Sequence, residues 1–161
     1  MLKLVKVVIV TNALMSSIAF ADTTSTTMDV SATVAASCSI SAAPLAFGSY
    51  TLNQLDSKTS VSLTCTNGTS YTIEMDKGSG KGASFEVRKL TSNGNTLDYS
   101  IYTDSNYKEV WGDGTGGSGI VKDTGSGVEQ TINVFGRIPP NQSSPVSDTP
   151  YTDVINVTVS F

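Results

Sequence analysis

Between residues 26 and 38 apolar and polar side chains alternate one by one. Met28, Val30, Ala32, Val34, Ala36 and Cys38 fall on one face; Thr27, Asp29, Ser31, Thr33, Ala35 and Ser37 fall, with one exception, as polar residues on the other. A period of two belongs to a half-buried β-strand, so this stretch is expected to bury one side and wet the other. The same period recurs downstream. Val61, Leu63 and Cys65 alternate with Ser60, Ser62 and Thr64 in a strand expected over 58–65. Tyr71, Ile73 and Met75 line a face of the next, and Leu97, Tyr99 and Ile101 a face of another. A last strand is expected over 152–161, with Ile155, Val157, Val159 and Phe161 facing one way. Further strands are expected over 44–50, 85–90 and 131–138, while 103–127 reads as loop, broken by Val110-Trp111 and Ile120-Val121. Asn67-Gly68 and Asn93-Gly94 supply tight turns. No window carries a 3.6-residue period with caps. Many short alternating strands between Gly and Asn turns predict an all-β, antiparallel β-sandwich.

The N-terminus follows a different pattern. Lys3 and Lys6 precede a mostly apolar run over 7–18, followed by Ala19-Phe20-Ala21. A basic start, a short apolar core and a small-x-small site make a secretory signal peptide. The run is shorter than the ~20 residues that span a bilayer, and the remainder holds no second run of that length, so no membrane span is expected in the mature chain. The expected organisation is a signal peptide at 1–21, an N-terminal extension at 22–36 and a sandwich domain at 37–161.

Export sharpens the charge and the cysteines. The whole chain carries −4, and removing Lys3 and Lys6 makes the exported part more acidic. Nucleic acid, which needs a basic patch, is not an expected partner. Cys38 and Cys65, the two cysteines, are an even pair in an oxidising compartment and are expected to form one disulfide. A metal site lacks partners, because the chain has no histidine and no third cysteine.

Candidate chemistry is sparse. Without histidine there is no Ser–His or Cys–His pair, and the 14 acidic residues are scattered over polar faces and loops. No enzyme activity and no cofactor are expected. The run from Gly112 to Gly117 matches G-x-G-x-x-G in letters, but that motif binds phosphate only between a strand and a helix, so it reads as a surface loop. Asp104, Asn106, Asp113 and Asp123 form no calcium-binding loop pattern. Trp111, beside the glycine loop, is expected to pack over an end of the sandwich rather than to stack on a sugar.

Several pieces, in order, resemble one family. They are Ala36-Ser37-Cys38-Ser39-Ile40, the stretch from Pro44 to Tyr50, Val61-Ser62-Leu63-Thr64-Cys65, the stretch from Leu97 to Tyr102, Val110-Trp111-Gly112-Asp113-Gly114, Phe135-Gly136-Arg137-Ile138-Pro139 and Tyr151-Thr152-Asp153. This set resembles the spore coat protein U domain family, which includes the archaic, Csu-type chaperone–usher pilins. Thr149-Pro150 stands where a glycine is expected and departs from that pattern. The resemblance implies an immunoglobulin-like sandwich lacking one strand. A periplasmic chaperone would lend that strand, and an outer-membrane usher would exchange it for the N-terminal strand of another pilin subunit, a form of β-strand addition. It further implies that Met28, Val30, Ala32 and Val34 are donor side chains. Ile155, Val157, Val159 and Phe161 would line the accepting groove, and Cys38–Cys65 would fasten the start of the sandwich. The protein would pass through the periplasm to a surface pilus serving adhesion and biofilm formation.

Two other readings stay open on the residues alone. Residues 28–36 could pair in cis as the first strand of a self-complete secreted coat or matrix protein, which the alternation by itself favours. The same fold could also serve as a binding module at a pilus tip; the absence of a second, receptor-like domain in the sequence favours a shaft subunit.

Overall fold

A computed structural model describes residues 20–143, 145, 146 and 150–161. The expected signal peptide therefore lies, but for Phe20 and Ala21, outside the described residues, as does Thr149. The chain divides into two units, residues 1–33 and 34–161. In the first, the described residues 20–33 form neither strand nor helix, and all are exposed.

In the second unit eight strands are described: β1 (Cys38–Ala42), β2 (Leu55–Cys65), β3 (Ser70–Met75), β4 (Arg88–Ser92), β5 (Asn95–Tyr102), β6 (Val121–Thr124), β7 (Gln130–Ile138) and β8 (Val157–Ser160). They form a five-stranded sheet in the order β1-β2-β7-β5-β4 and a three-stranded sheet in the order β6-β3-β8. Every pairing is antiparallel. No described residue is helical. The expected all-β sandwich is the fold.

Period two explains the packing. Val61, Leu63 and Cys65 of β2, Leu97, Tyr99 and Ile101 of β5, and Val134 and Ile138 of β7 point inward from the larger sheet; Tyr71, Ile73 and Met75 of β3 meet them from the smaller one. All are at most 5% exposed. Trp111 fills the core beside them with no exposed surface, and its indole Nε1 donates to the Ile73 carbonyl. Burial of the indole with its one donor satisfied is the packing role, not a sugar platform. Asn93 and Gly94 both adopt positive φ, 47° and 85°, the pair of left-handed conformations that closes a two-residue hairpin. They join β4 to β5 with Ser92 opposite Asn95.

Five expectations shift. The alternating stretch at 26–38 is not a strand: residues 20–37 join no ladder, and strand structure begins where the alternation ends, at Cys38. The stretch at 44–50 is not a strand either. Pro44 has no N–H to give a ladder, Gly48 turns at φ 79°, and the segment instead lays Leu45 and Phe47 over Gly136 while the Ala46 carbonyl accepts from the Ser57 hydroxyl. The strand expected from 85 begins at Arg88, because Ser84 closes a turn there through its amide to the Val87 carbonyl and its hydroxyl from the Val87 amide. The last strand is shorter than 152–161: Thr152 bridges Thr91 in isolation, and pairing with β3 runs only over Val157–Ser160. Finally β6, polar in sequence, lies inside the segment taken for loop; its ladder to β3 at Ser70–Ile73 fixes it.

Candidate functional site

The two sheets end, on one side, in unmatched edges. β1 pairs only with β2, and β8 only with β3, among the described residues. Between these edges runs an apolar groove of about 300 Å³. Its floor is the core itself: Val61 of β2, Val134 of β7, Ile101 of β5 and Met75 of β3. One wall is Ala42 with the following Ala43, Pro44, Leu45 and Phe47; the other is Val154, Ile155 and Val157. Thr59, Tyr99 and Asp153 are its lining residues that carry a polar group.

The wall leading into β8 follows the expected alternation closely. Ile155, Val157 and Val159 are half-buried, while Val154, Asn156, Thr158 and Ser160 between them are exposed. Of the four residues assigned to this face, Ile155 and Val157 line the groove. Val159 packs against the core farther along β8, opposite Ile73. Phe161 is 59% exposed and lies outside the groove lining. The opposite wall was not legible as groove, because residues 44–50 read as a strand; the apolar cluster Ala42-Ala43-Pro44-Leu45 was the available signal.

A polar junction holds the approach to β8 in place. Tyr99 Oη donates to Asp153 Oδ2 at 2.8 Å, and the Ser79 amide and hydroxyl donate to Asp153 Oδ1, each at 2.8 Å. Asp76 accepts from the Gly78 amide and from the amide and side chain of Asn156. Arg88 is fully buried. Its guanidinium donates to the carbonyls of Asp76, Phe85 and Trp111, which satisfies a charge that would otherwise be costly there. Burial holds the Arg88 pKa below the ordinary guanidinium value. Burial, with the Asp153 carboxylate beside it, pushes the Tyr99 hydroxyl far above the ordinary phenol value. These bonds tie β4 and β5 of one sheet to the β3 end and the β8 approach of the other, which fixes the wall at 154–157.

The candidate donor residues share one property. Met28, Val30 and Val34 are 81–87% exposed, and Ala32 is exposed as well. Cys38 and Cys65 stand opposite each other at the end of the β1–β2 ladder and are joined by a disulfide. Just beyond it, the Thr66 amide donates to the Ser37 carbonyl at 2.9 Å, and the Thr66 hydroxyl lies 3.3 and 3.4 Å from the carbonyls of Ala35 and Ser37.

Among the described residues no three acidic, cysteine or histidine side chains gather as a metal site. The glycine-rich run is a turn in which Asp113 accepts from the amide and hydroxyl of Thr115. No described helix is long and apolar enough to cross a membrane.

Two solved structures are similar to this chain. One is a chain in the crystal structure of the CsuC–CsuE chaperone–tip adhesion subunit pre-assembly complex from archaic chaperone–usher Csu pili of Acinetobacter baumannii. It matches at TM-score 0.60 and 21% identity over 80% of this chain and 41% of that one. The P pilus rod subunit PapA matches at TM-score 0.47 and 16% identity, over 76% of this chain and 97% of that one. At such identities the first likeness is one of fold, and this chain spans well under half of the solved chain concerned. No curated protein matches the sequence. The Spore Coat Protein U domain matches residues 24–158, most of the chain, and the protein belongs to the Spore Coat Protein U domain family.

Proposed function

We propose that this protein is a structural subunit of a chaperone–usher pilus and not an enzyme. Its groove is completed by the N-terminal extension of another subunit. The observation that carries the proposal is the coexistence, in one chain, of an apolar groove between two unmatched sheet edges and an exposed, alternating apolar stretch that enters no ladder. Unpaired strand edges are templates for a further strand, and a chain with both parts assembles head to tail without closing. Met28, Val30, Ala32 and Val34 are the donor side chains, and Ile155 and Val157 with Leu45 and Phe47 receive them. Burying Met28, Val30 and Val34 at about 1.5–3 kcal/mol each contributes roughly 5–9 kcal/mol, and each ladder hydrogen bond adds about 1 kcal/mol net.

A periplasmic chaperone occupies the groove before assembly, and an outer-membrane usher directs the exchange. The likeness to a chain of a chaperone–subunit complex supports the first of these partners. Export through the periplasm places the product on the cell surface, where it serves adhesion and biofilm formation. The test is Val30→Asp. It leaves the groove untouched, so chaperone capture persists, but it puts a charge into the donor face, so fibre yield collapses. A normal yield of fibres from that variant contradicts the proposal.

A further inference from the structure

The donor reading leaves the joint between subunits unspecified, and the residues at the root of the extension define it. Cys38 is locked to Cys65, and Ala35 and Ser37 are hydrogen-bonded to Thr66 of the same subunit. The last donor side chain, Val34, thus stands four residues before the disulfide with no slack between. Four extended residues reach about 14 Å at most. That is little more than the ~10 Å between two packed sheets, so a subunit that accepts Val34 cannot stand clear of the subunit that supplies it.

The surface it must meet is the pole of the sandwich around this root. There the turn between β6 and β7 packs back on the disulfide. The Gly127 amide donates to the Cys65 carbonyl, and the Gly68 amide to the Gly125 carbonyl. A side chain at 125 would collide with Cys65 Cβ and the Thr66 carbonyl, so the turn is seated tightly. The same turn presents Val128 with 65% of its surface exposed. Resting on the donor-strand function, we infer that the pole formed by Ser37, Thr66, Asn67 and Val128 is a second interface between copies of this chain. In the polymer Val128 packs against the rim of the groove of the subunit that receives the donor strand. The inter-subunit joint is therefore a short, directed contact, not a flexible tether.

The experiment compares maleimide labelling of Val128→Cys in the chaperone-held subunit and in fibres, without reductant, so that Cys38–Cys65 stays closed. Asn106→Cys, at an exposed position of the 103–110 loop, is the reference. Labelling at position 128 slows about tenfold or more on assembly, as at the dry centre of a contact, while position 106 labels at an unchanged rate. Fibres in which position 128 labels as fast as in the subunit overturn the inference and leave the donor strand standing. A Val128→Cys chain that binds the leader peptide normally but does not polymerise supports it, because assembly then needs the pole as well as the groove. Failure of the unsubstituted chain to take up the leader peptide overturns the donor reading and this inference with it.

Discussion

The hydroxyl of Tyr99, on β5 of the five-stranded sheet, donates to the carboxylate of Asp153, at the approach to β8 of the three-stranded sheet, over 2.8 Å. One bond thus spans the sandwich at the end of the groove. Tyr99 is 3% exposed, so its partner is protein, and a hydrogen bond to a charged group stabilises by about 1.5–3 kcal/mol. Tyr99→Phe keeps the ring and its edge-to-face contact with Phe47 but removes the donor. Urea unfolding should show a loss of about 1.5–3 kcal/mol, with an unchanged slope.

The same residue sets an alkaline limit. Burial raises the Tyr99 pKa above that of the unfolded chain. A group raised on folding contributes stability in full below its unfolded pKa, near 10. That stability is lost progressively above this pH, because the unfolded state ionises first. Thermal melting should therefore fall steeply above about pH 10, and Tyr99→Phe should flatten part of that fall. Parallel curves for the two proteins would show that Tyr99 does not carry the effect.

At the acid end the group to watch is Asp104. Its carboxylate accepts from the amides of Glu109, Lys108 and Asn106, and these bonds hold its pKa below the ordinary value, the Glu109 amide first. The stabilisation exists above the unfolded carboxylate pKa and disappears as pH falls through the lower folded one. Tyr107, held at φ 56° with its ring 3.7 Å from the Arg137 guanidinium carbon, depends on this loop. Amide exchange at Asn106, Lys108 and Glu109 should accelerate below about pH 4 and should already be fast in Asp104→Ala at neutral pH.

The disulfide closes 27 residues between Cys38 and Cys65. The chain-entropy treatment gives about 3–4 kcal/mol for a loop of that size. The paired Cys38→Ser, Cys65→Ser variant should lose about that amount in urea, and reductant should lower the unsubstituted protein to the same level. Because Cys38 also fixes the root of the extension, the variant should polymerise more slowly than its stability alone would dictate.

Gly136, on β7, is covered by Leu45 and Phe47. A Cβ there would stand 2.6 Å from Leu45 Cδ2 and 2.8 Å from Phe47 Cζ. Both atoms are the far ends of side chains that line the groove, so Gly136→Ala is accommodated by pushing them into it. The expected cost is about 1–3 kcal/mol, accompanied by a larger fractional loss of affinity for the leader peptide. Stability lost with peptide affinity intact would mean that the side chains moved elsewhere.

Period two carried most of this fold from the residues alone. Val61-Leu63-Cys65, Tyr71-Ile73-Met75 and Leu97-Tyr99-Ile101 are core triplets in strands of two sheets, and Asn93-Gly94 is the hairpin it promised. The misses have local physical causes. At 153–156 the burial pattern alternates as a strand does, yet the Asn156 amide donates to the Asp76 carboxylate and the Val154 amide to the Asp153 carboxylate, not to a neighbouring strand. A side chain that replaces a strand neighbour leaves no trace in periodicity. Residues 44–50 pack by laying Leu45 and Phe47 over a glycine on another strand, a relation between distant positions. β6, Val121–Thr124, is exposed beyond its half-buried first residue, so Ile120-Val121 was its whole apolar signal, too short to mark a strand. The groove was half legible: alternation put Ile155 and Val157 on one face and the family resemblance implied that this face lines a groove, whereas Leu45 and Phe47 lie over Gly136, a relation periodicity does not carry.

The central claim is that the apolar face at 28–34 completes the groove of another subunit. It is tested most directly by thermal unfolding of the chain lacking residues 22–36, with and without a synthetic peptide spanning residues 26–36. Saturating peptide should raise stability by about 4 kcal/mol at a thousandfold excess over its Kd, and Val30→Asp peptide should not. An unchanged melting temperature at saturating peptide would contradict the account.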